Sequence, residues 1–315
     1  MDGCGAQASD LAPHRNAAIL DTDARRTTTT SIRRGVGSDT PQPKEVTAMI
    51  ATASRSHETP SLAPLLERLE RDYFPSWRFT QPQPGKVAAQ FFASRLTSAF
   101  QPIVRASDGG VAGHQALLRT FDAGDQGVAP WRILAHAAKD AMLVQLDRLT
   151  RTLHALNYFA HGDKGNRLLY LNVDKRLLLL ATDHHGTYFE VILAQLGVPT
   201  NRVAVVLPAT ALDDPVTFVR AAIAYRIRGY RVVAQMSLEG DPDLEHVLLA
   251  EPHDVALDAP RADRSDHTRR IVEALSRRGI HTIARRIEDE TQAQAARDVG
   301  FGFLQGWHFP TTAAI

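Results

Sequence analysis

The sequence is short of cysteine, of net charge, of long apolar runs and, at its start, of aromatic residues. Each shortage removes a class of protein. A single cysteine, Cys4, excludes an intramolecular disulfide framework and zinc clusters built on two or four cysteines. A formal net charge of +1 favours neither a nucleic-acid coat nor a polybasic membrane anchor, so no DNA and no membrane partner is expected. No apolar run approaches the roughly 20 residues that span a bilayer. The opening MDGCGAQASDLAPHRN has no basic stretch followed by an apolar one, which argues against a secretory signal and for the cytoplasm. Residues 1–60 contain no Phe, Trp or Tyr, and are expected to form a disordered tail that cannot offset its ordering entropy. Met49 is an alternative start on that reading.

Beyond the tail the apolar pattern becomes regular. Leu62, Leu65, Leu66 and Leu69 share one helical stripe over 61–75, closed by Pro75. This amphipathic helix must dock on the main domain or on a partner. QPQPG at 81–85 reads as a linker, giving a tail (1–60), a helix with its linker (61–85) and a main domain (86–315). Val104 and Val111 flank ASDGG, whose Asp-Gly pair suits a hairpin turn. Leu134, Ala138, Met142, Leu146, Leu149 and Leu153 repeat at helical spacing, predicting a long helix over 131–160. Short apolar strands at 167–173, 202–207, 230–235, 253–257, 280–284 and 301–304 then alternate with helices at 213–228, 266–278 and 289–298. Alternation of this kind implies parallel strands joined by crossovers.

About eight strands in a domain near the roughly 250 residues of a (β/α)8 barrel favour closure over an open sheet. No G-x-G-x-x-G follows the first strand, so a dinucleotide-binding sheet lacks its mark. In such a barrel chemistry happens where strands end and loops begin. The strand ends are Arg119, Asn172, Val206, Gln235, Ala256, Arg285 and Gln305.

Several segments in order resemble the EAL domain, a family of cyclic di-GMP phosphodiesterases. FQPIV at 100–104 matches its opening strand, and QALLR at 115–119 stands where Glu-Ala-Leu-x-Arg would be. YLNVDKRLL holds Asn172 at the place of an asparagine metal ligand, and GYRVVAQM matches a strand that ordinarily ends in two aspartates. IARRIEDETQAQAARDVGFGFLQGWHF corresponds to Ala-Glu-Gly-Val-Glu and a later Gln-Gly. The resemblance covers residues 95–310. It implies a TIM-type barrel with an antiparallel first strand, and hydrolysis by a metal pair, Mg²⁺ or Mn²⁺, that activates water.

Position by position, this chain departs from that chemistry. Gln115 replaces the signature glutamate, Val206 and Ala209 two further glutamates, and Gln235 and Met236 the paired aspartates. Ala256 replaces the supporting lysine and Arg285 the general base, so Asn172 alone survives among the metal ligands. A unit charge about 4 Å from another of the same sign costs on the order of 4 kcal/mol at an effective dielectric near 20, and a dication roughly twice that. Arginine stays protonated and takes no proton from water. No catalytic residue and no metal are expected.

Gln101, Pro102, Leu117, Arg119, Gln305 and Gly306 match positions that border the nucleotide in the family, and Arg285 or Arg286 would supply the charge the metals once did. The same residues could persist because they hold the barrel together. The expectation is a non-catalytic EAL protein acting as a cyclic di-GMP receptor or a signalling interaction module, with a protein partner and with a homodimer left open. The alternatives are an active cyclic di-GMP phosphodiesterase, and an adaptor that has lost the nucleotide. Asp183, His184 and His185 read as a loop rather than a metal cluster. Glu288 and Glu290 serve a helix N-terminus. Arg261, Arg264, Arg269 and Arg270 read as a solvated face.

Overall fold

The computed structural model describes residues 62–310 apart from 84, 131, 134–139, 161–164, 181–185, 239–243 and 260–264. The expected tail with Cys4 and Met49 lies outside the described residues, as do Asp183, His184, His185, Arg261 and Arg264.

The leucine stripe forms helix α1 (Leu62–Tyr73), which buries Leu65, Leu66 and Leu69. Strands β1 (Arg78–Gln83) and β2 (Lys86–Phe91) follow as an antiparallel hairpin. The linker expected at 81–85 is therefore part of a hairpin: β1 runs through Gln83, and Gly85 turns with φ of 78°. Pro82 is tolerated there because β1 is an edge strand, where a missing N–H breaks no ladder.

The long hairpin of β3 (Ser94–Arg105) and β4 (Val111–Phe121) comes next, paired with Gln101 opposite Gln115. Its turn is the expected one, with Gly109 at φ of 68° and the Asp108 carboxylate accepting from Gly110 N–H at 2.9 Å. The short β5 (Gly127–Val128) pairs with the end of β4. Helix α2 spans Asp140–Phe159; the first part of the helix expected over 131–160 falls largely outside the described residues.

Thereafter strand and helix alternate: β6 (Leu168–Asn172), α3 (Lys175–Leu180), α4 (Thr187–Gln195), β7 (Val203–Leu207), α5 (Pro215–Ile227), β8 (Arg231–Met236), α6 (Leu244–Leu249), β9 (Asp254–Asp258), α7 (Ser265–Ser276), β10 (His281–Arg285), α8 (Glu290–Val299) and β11 (Phe303–Leu304). Parallel pairing links β4 to β6 and continues in order to β11, which closes antiparallel onto β3. Eight strands thus form a closed barrel, with β3 alone running against the rest.

Two apolar layers hold it. Ile103, Tyr170, Ala204, Val206, Val233, Ala256 and Ile283 fill the barrel, while the opposite strand faces pack on the helices through residues such as Leu143, Leu146, Leu149 and Leu153 of α2. Strand alternation sorts side chains between the two layers. Several polar groups buried in the outer layer are paired, whereas the buried Nε atoms of Arg202 and Arg231 have no hydrogen-bond partner. Arg151 reaches Asp147 at 2.8 Å and the Tyr225 hydroxyl at 3.3 Å. Asn157 exchanges hydrogen bonds with both backbone groups of Val87, tying β2 to α2. Helix α1 docks through Tyr73 and Phe74, both edge-on to Tyr188 of α4. At the other end of the barrel, buried Asp254 meets Arg231 at 3.2 Å and His281 at 3.3 Å. No helix among the described residues is long and apolar enough to cross a membrane.

Candidate nucleotide site at the barrel mouth

At the end where β4 and β6–β10 finish, a cavity of about 350 Å³ opens. Its floor is a chain of amides. Gln305 donates from Nε2 to Gln101 Oε1 at 2.8 Å and also to Gln115 Oε1. Gln115 donates in turn to Asn172 Oδ1 at 2.7 Å. Four elements thereby share one neutral network. Burial makes these bonds costly to lose, since Gln101, Gln115 and Gln305 are each under a tenth exposed.

Backbone geometry holds Gln305 in place: its N–H donates to Ala284 O at 2.8 Å and its carbonyl accepts from Ile287 N–H at 3.1 Å. Gly306 follows because nothing larger fits. A Cβ there would lie 1.9 Å from Ile287 O, so the loop after β11 could not lie on the loop after β10. The next residue, Trp307, lines the cavity yet remains 64% exposed, an aromatic face at the rim.

Charge enters from β10. Arg285 and Arg286 both line the cavity, and both approach the carboxylate of Asp258 at the end of β9, at 3.8 and 3.3 Å. Burial lowers the Arg285 pKa, Asp258 opposes that fall, and the neighbouring Arg286 adds to it. Arg286 has φ of 58°, in the left-handed region that favours glycine. In the resemblance to the Ala-Glu-Gly-Val-Glu segment this is the position of the glycine, the residue type that such a φ favours.

Of the residues expected at the site, Gln101, Leu117, Arg285, Gln305 and Gly306 line the cavity, as do Gln115, Asn172, Val206 and Gln235. Arg119 and Pro102 do not. Arg119 has the inward parity of Gln115 and Leu117, but sits two residues farther out along a strand that continues to Phe121. Pro102 is out of phase with the inward-facing Gln101 and Ile103, and faces the helical layer. Met236 is likewise buried with the outer core rather than in the cavity, and Ala256 lies deeper, within the barrel packing. Glu288 is exposed and donates its N–H to Gln292 Oε1 at 2.8 Å, while Asp289 caps α8.

Three contributors escaped the sequence reading. Asp258 lies one residue beyond the expected strand end at 257. Trp307 follows the Gln-Gly pair directly and was visible as its neighbour. The amide chain could not be read at all, because it joins residues up to 204 positions apart.

A metal pair would need several anionic ligands from this lining. Among the described residues no group of three or more His, Cys, Asp or Glu could hold an ion, and no lining residue is a carboxylate. Hard dications want several anionic oxygens. Here the donors are neutral amides already engaged with one another, beside two guanidinium groups. The set does not fit.

Fold and mouth together define a TIM-type barrel whose strand ends bear a cavity of about 350 Å³. The EAL domain profile matches residues 86–311, and the chain belongs to that family. Among solved structures it is similar to PaMucR phosphodiesterase in complex with c-di-GMP, with a TM-score of 0.61 and 18% identity over 70% of this chain and 92% of that one. It is similar also to Klebsiella pneumoniae BlrP1 in its calcium and cyclic di-GMP complex, at 0.60 and 18% over 80% and 64%. For the cAMP-bound EAL enzyme Bd1971 the values are 0.59 and 15%, and the chain spans 64% of that protein. No curated protein matches in sequence.

Proposed function

We propose that the chain is a non-catalytic EAL protein that binds cyclic di-GMP without a metal. The observation that carries this reading is the composition of the mouth: a hydrogen-bonded row of amides and two arginines, with no carboxylate in the lining. Solved relatives of the same fold hold cyclic di-GMP, which makes that nucleotide the first ligand to test. The donor and acceptor positions that the amide chain leaves over suit the hydrogen-bonding edge of guanine, the exposed Trp307 face suits its ring, and Arg285 and Arg286 suit a phosphate. No group in the lining can serve as a general base, because an arginine at position 285 remains protonated.

Titration calorimetry with cyclic di-GMP, run with EDTA and with Mg²⁺, decides the matter. Heat of the same size is expected in both, weakening as salt rises because the phosphate contacts are charge pairs. Hydrolysis that a chelator abolishes would establish the phosphodiesterase instead. Arg285→Gln should weaken binding by about tenfold or more, the value of one charge-assisted contact. Arg119→Ala should cost less, because Arg119 stands outside the cavity lining.

A protein partner has separate support. Val216, Ile223 and Ile227 lie exposed on one face of α5, and Leu249 at the end of α6 is exposed as well. Absence of heat with cyclic di-GMP would move the function to such a partner.

A further inference from the structure

Consecutive residues of an extended chain point to opposite sides. Arg285 and Arg286 break that rule: both line one cavity, and each approaches a different oxygen of the same carboxylate, Asp258. The left-handed φ of Arg286 produces the break, and a non-glycine residue holds that conformation only under strain. Two guanidinium groups have therefore been brought together against repulsion, with a single acid between them.

The acid does not behave as a structural clamp. Its contacts, 3.8 and 3.3 Å, include no hydrogen bond, and its side chain is 46% exposed. The clamp in this protein looks different: Asp147 and Arg151 meet at 2.8 Å, with side chains 19% and 7% exposed. Asp258 is loosely held, open to solvent and within reach of both arginines.

We propose that Asp258 is a built-in competitor. It occupies the Arg285–Arg286 pair in the free protein, and an incoming phosphate displaces it. The inference rests on the receptor reading for the identity of the ligand, but not for the anion site itself. A dianionic or diester phosphate is the class the site takes, because two adjacent guanidinium groups offer donors to more than one phosphate oxygen. Displacing the carboxylate costs part of the binding energy. Asp258 thus sets the affinity and turns away weakly charged ligands.

Two probes separate this inference from the receptor reading: cyclic di-GMP and inorganic pyrophosphate, each titrated without metal. Asp258→Asn and Asp258→Ala should bind both about two- to fivefold more tightly than the native chain, the range expected when a half-exposed charge is removed. The gain should shrink in an Arg285→Gln background and vanish when Arg285→Gln and Arg286→Gln are combined, where both contested cations are gone. If the native chain ignores cyclic di-GMP while Asp258→Asn gains pyrophosphate, the receptor reading fails and the competitor stands. Binding of both probes that is unchanged or weaker in both Asp258 variants would overturn the competitor. So would a fall of many degrees in melting temperature, which would make Asp258 a clamp after all.

Discussion

Gln115 shows how one atom decides a residue's role. It accepts from Gln305 and donates to Asn172, so it needs one oxygen and one N–H₂ at once. Glutamate supplies only acceptors. Gln115→Glu should therefore leave a carboxylate oxygen facing Asn172 Oδ1, and lower stability by about 1–3 kcal/mol unless the asparagine turns over. It should also restore no hydrolysis, since Val206, Gln235 and Arg285 remain; a chelator-sensitive product peak with this variant would refute that. Arg286 presents the opposite case, a side chain kept where the backbone prefers none. Arg286→Gly should relieve about 1 kcal/mol of left-handed strain and raise the melting temperature, while weakening phosphate binding. A variant that is both less stable and unchanged in affinity would contradict this account of the residue. Gly306→Ala is simpler: a Cβ 1.9 Å from a carbonyl oxygen forces two loops apart, and the mouth should lose its ligand together with stability.

Among elements, the strands were legible and their surroundings were not. Alternation of apolar runs located β6 to β11 to within a residue or two, because fully buried parallel strands leave continuous Val, Ile and Leu runs. The site residues at strand ends followed from that placement. What failed was parity and reach: Arg119 reads as a strand end, yet β4 continues past it, and Pro102 reads as a nucleotide contact, yet its phase turns it outward. QPQPG carries turn residues, and only the pairing of β1 with β2 makes it a hairpin. Helix α1 was legible as a stripe that must dock on the main domain or on a partner, and the structure seats it on the domain. Leu69 is fully buried in it, so Leu69→Ala should cost about 2–4 kcal/mol, measured by denaturant unfolding; a loss near zero would mean the helix contributes nothing to the barrel. Strands β9 and β10 also share an ion pair, Asp254 with His281. The hydrogen bond to Asp254 raises the pKa of His281 above 6.5, against the lowering effect of burial. A raised histidine pKa contributes stability that is complete below 6.5 and fades as pH rises through the folded value. The His281→Gln variant should therefore differ from the native chain in melting temperature more at pH 5 than at pH 8. His253, whose pKa is lowered chiefly by burial and also by the neighbouring His281, is present in both proteins, and replacing His281 removes only that smaller contribution.

For the molecule as a whole, closure depends on its slightest strand. β11 has two residues, and it meets β3 through only two register pairs, Phe303 with Arg105 and Leu304 with Val104. Every other junction in the barrel is longer, apart from the equally short one between β10 and β11. A cylinder opens first along such a seam, and local opening there needs far less energy than global unfolding. The side chain of Gln305, one position beyond β11, reaches across to Gln101 of β3 and Gln115 of β4. The floor of the cavity is thus also the fastener of the seam. Occupancy of the mouth should be audible in the breathing of the barrel. Amide hydrogens of Phe303 and Leu304 should exchange more slowly when ligand is bound, while those of β7 and β8, on the far wall, should keep their rates. A receptor built this way would signal by how often its barrel opens, with no change in its average shape.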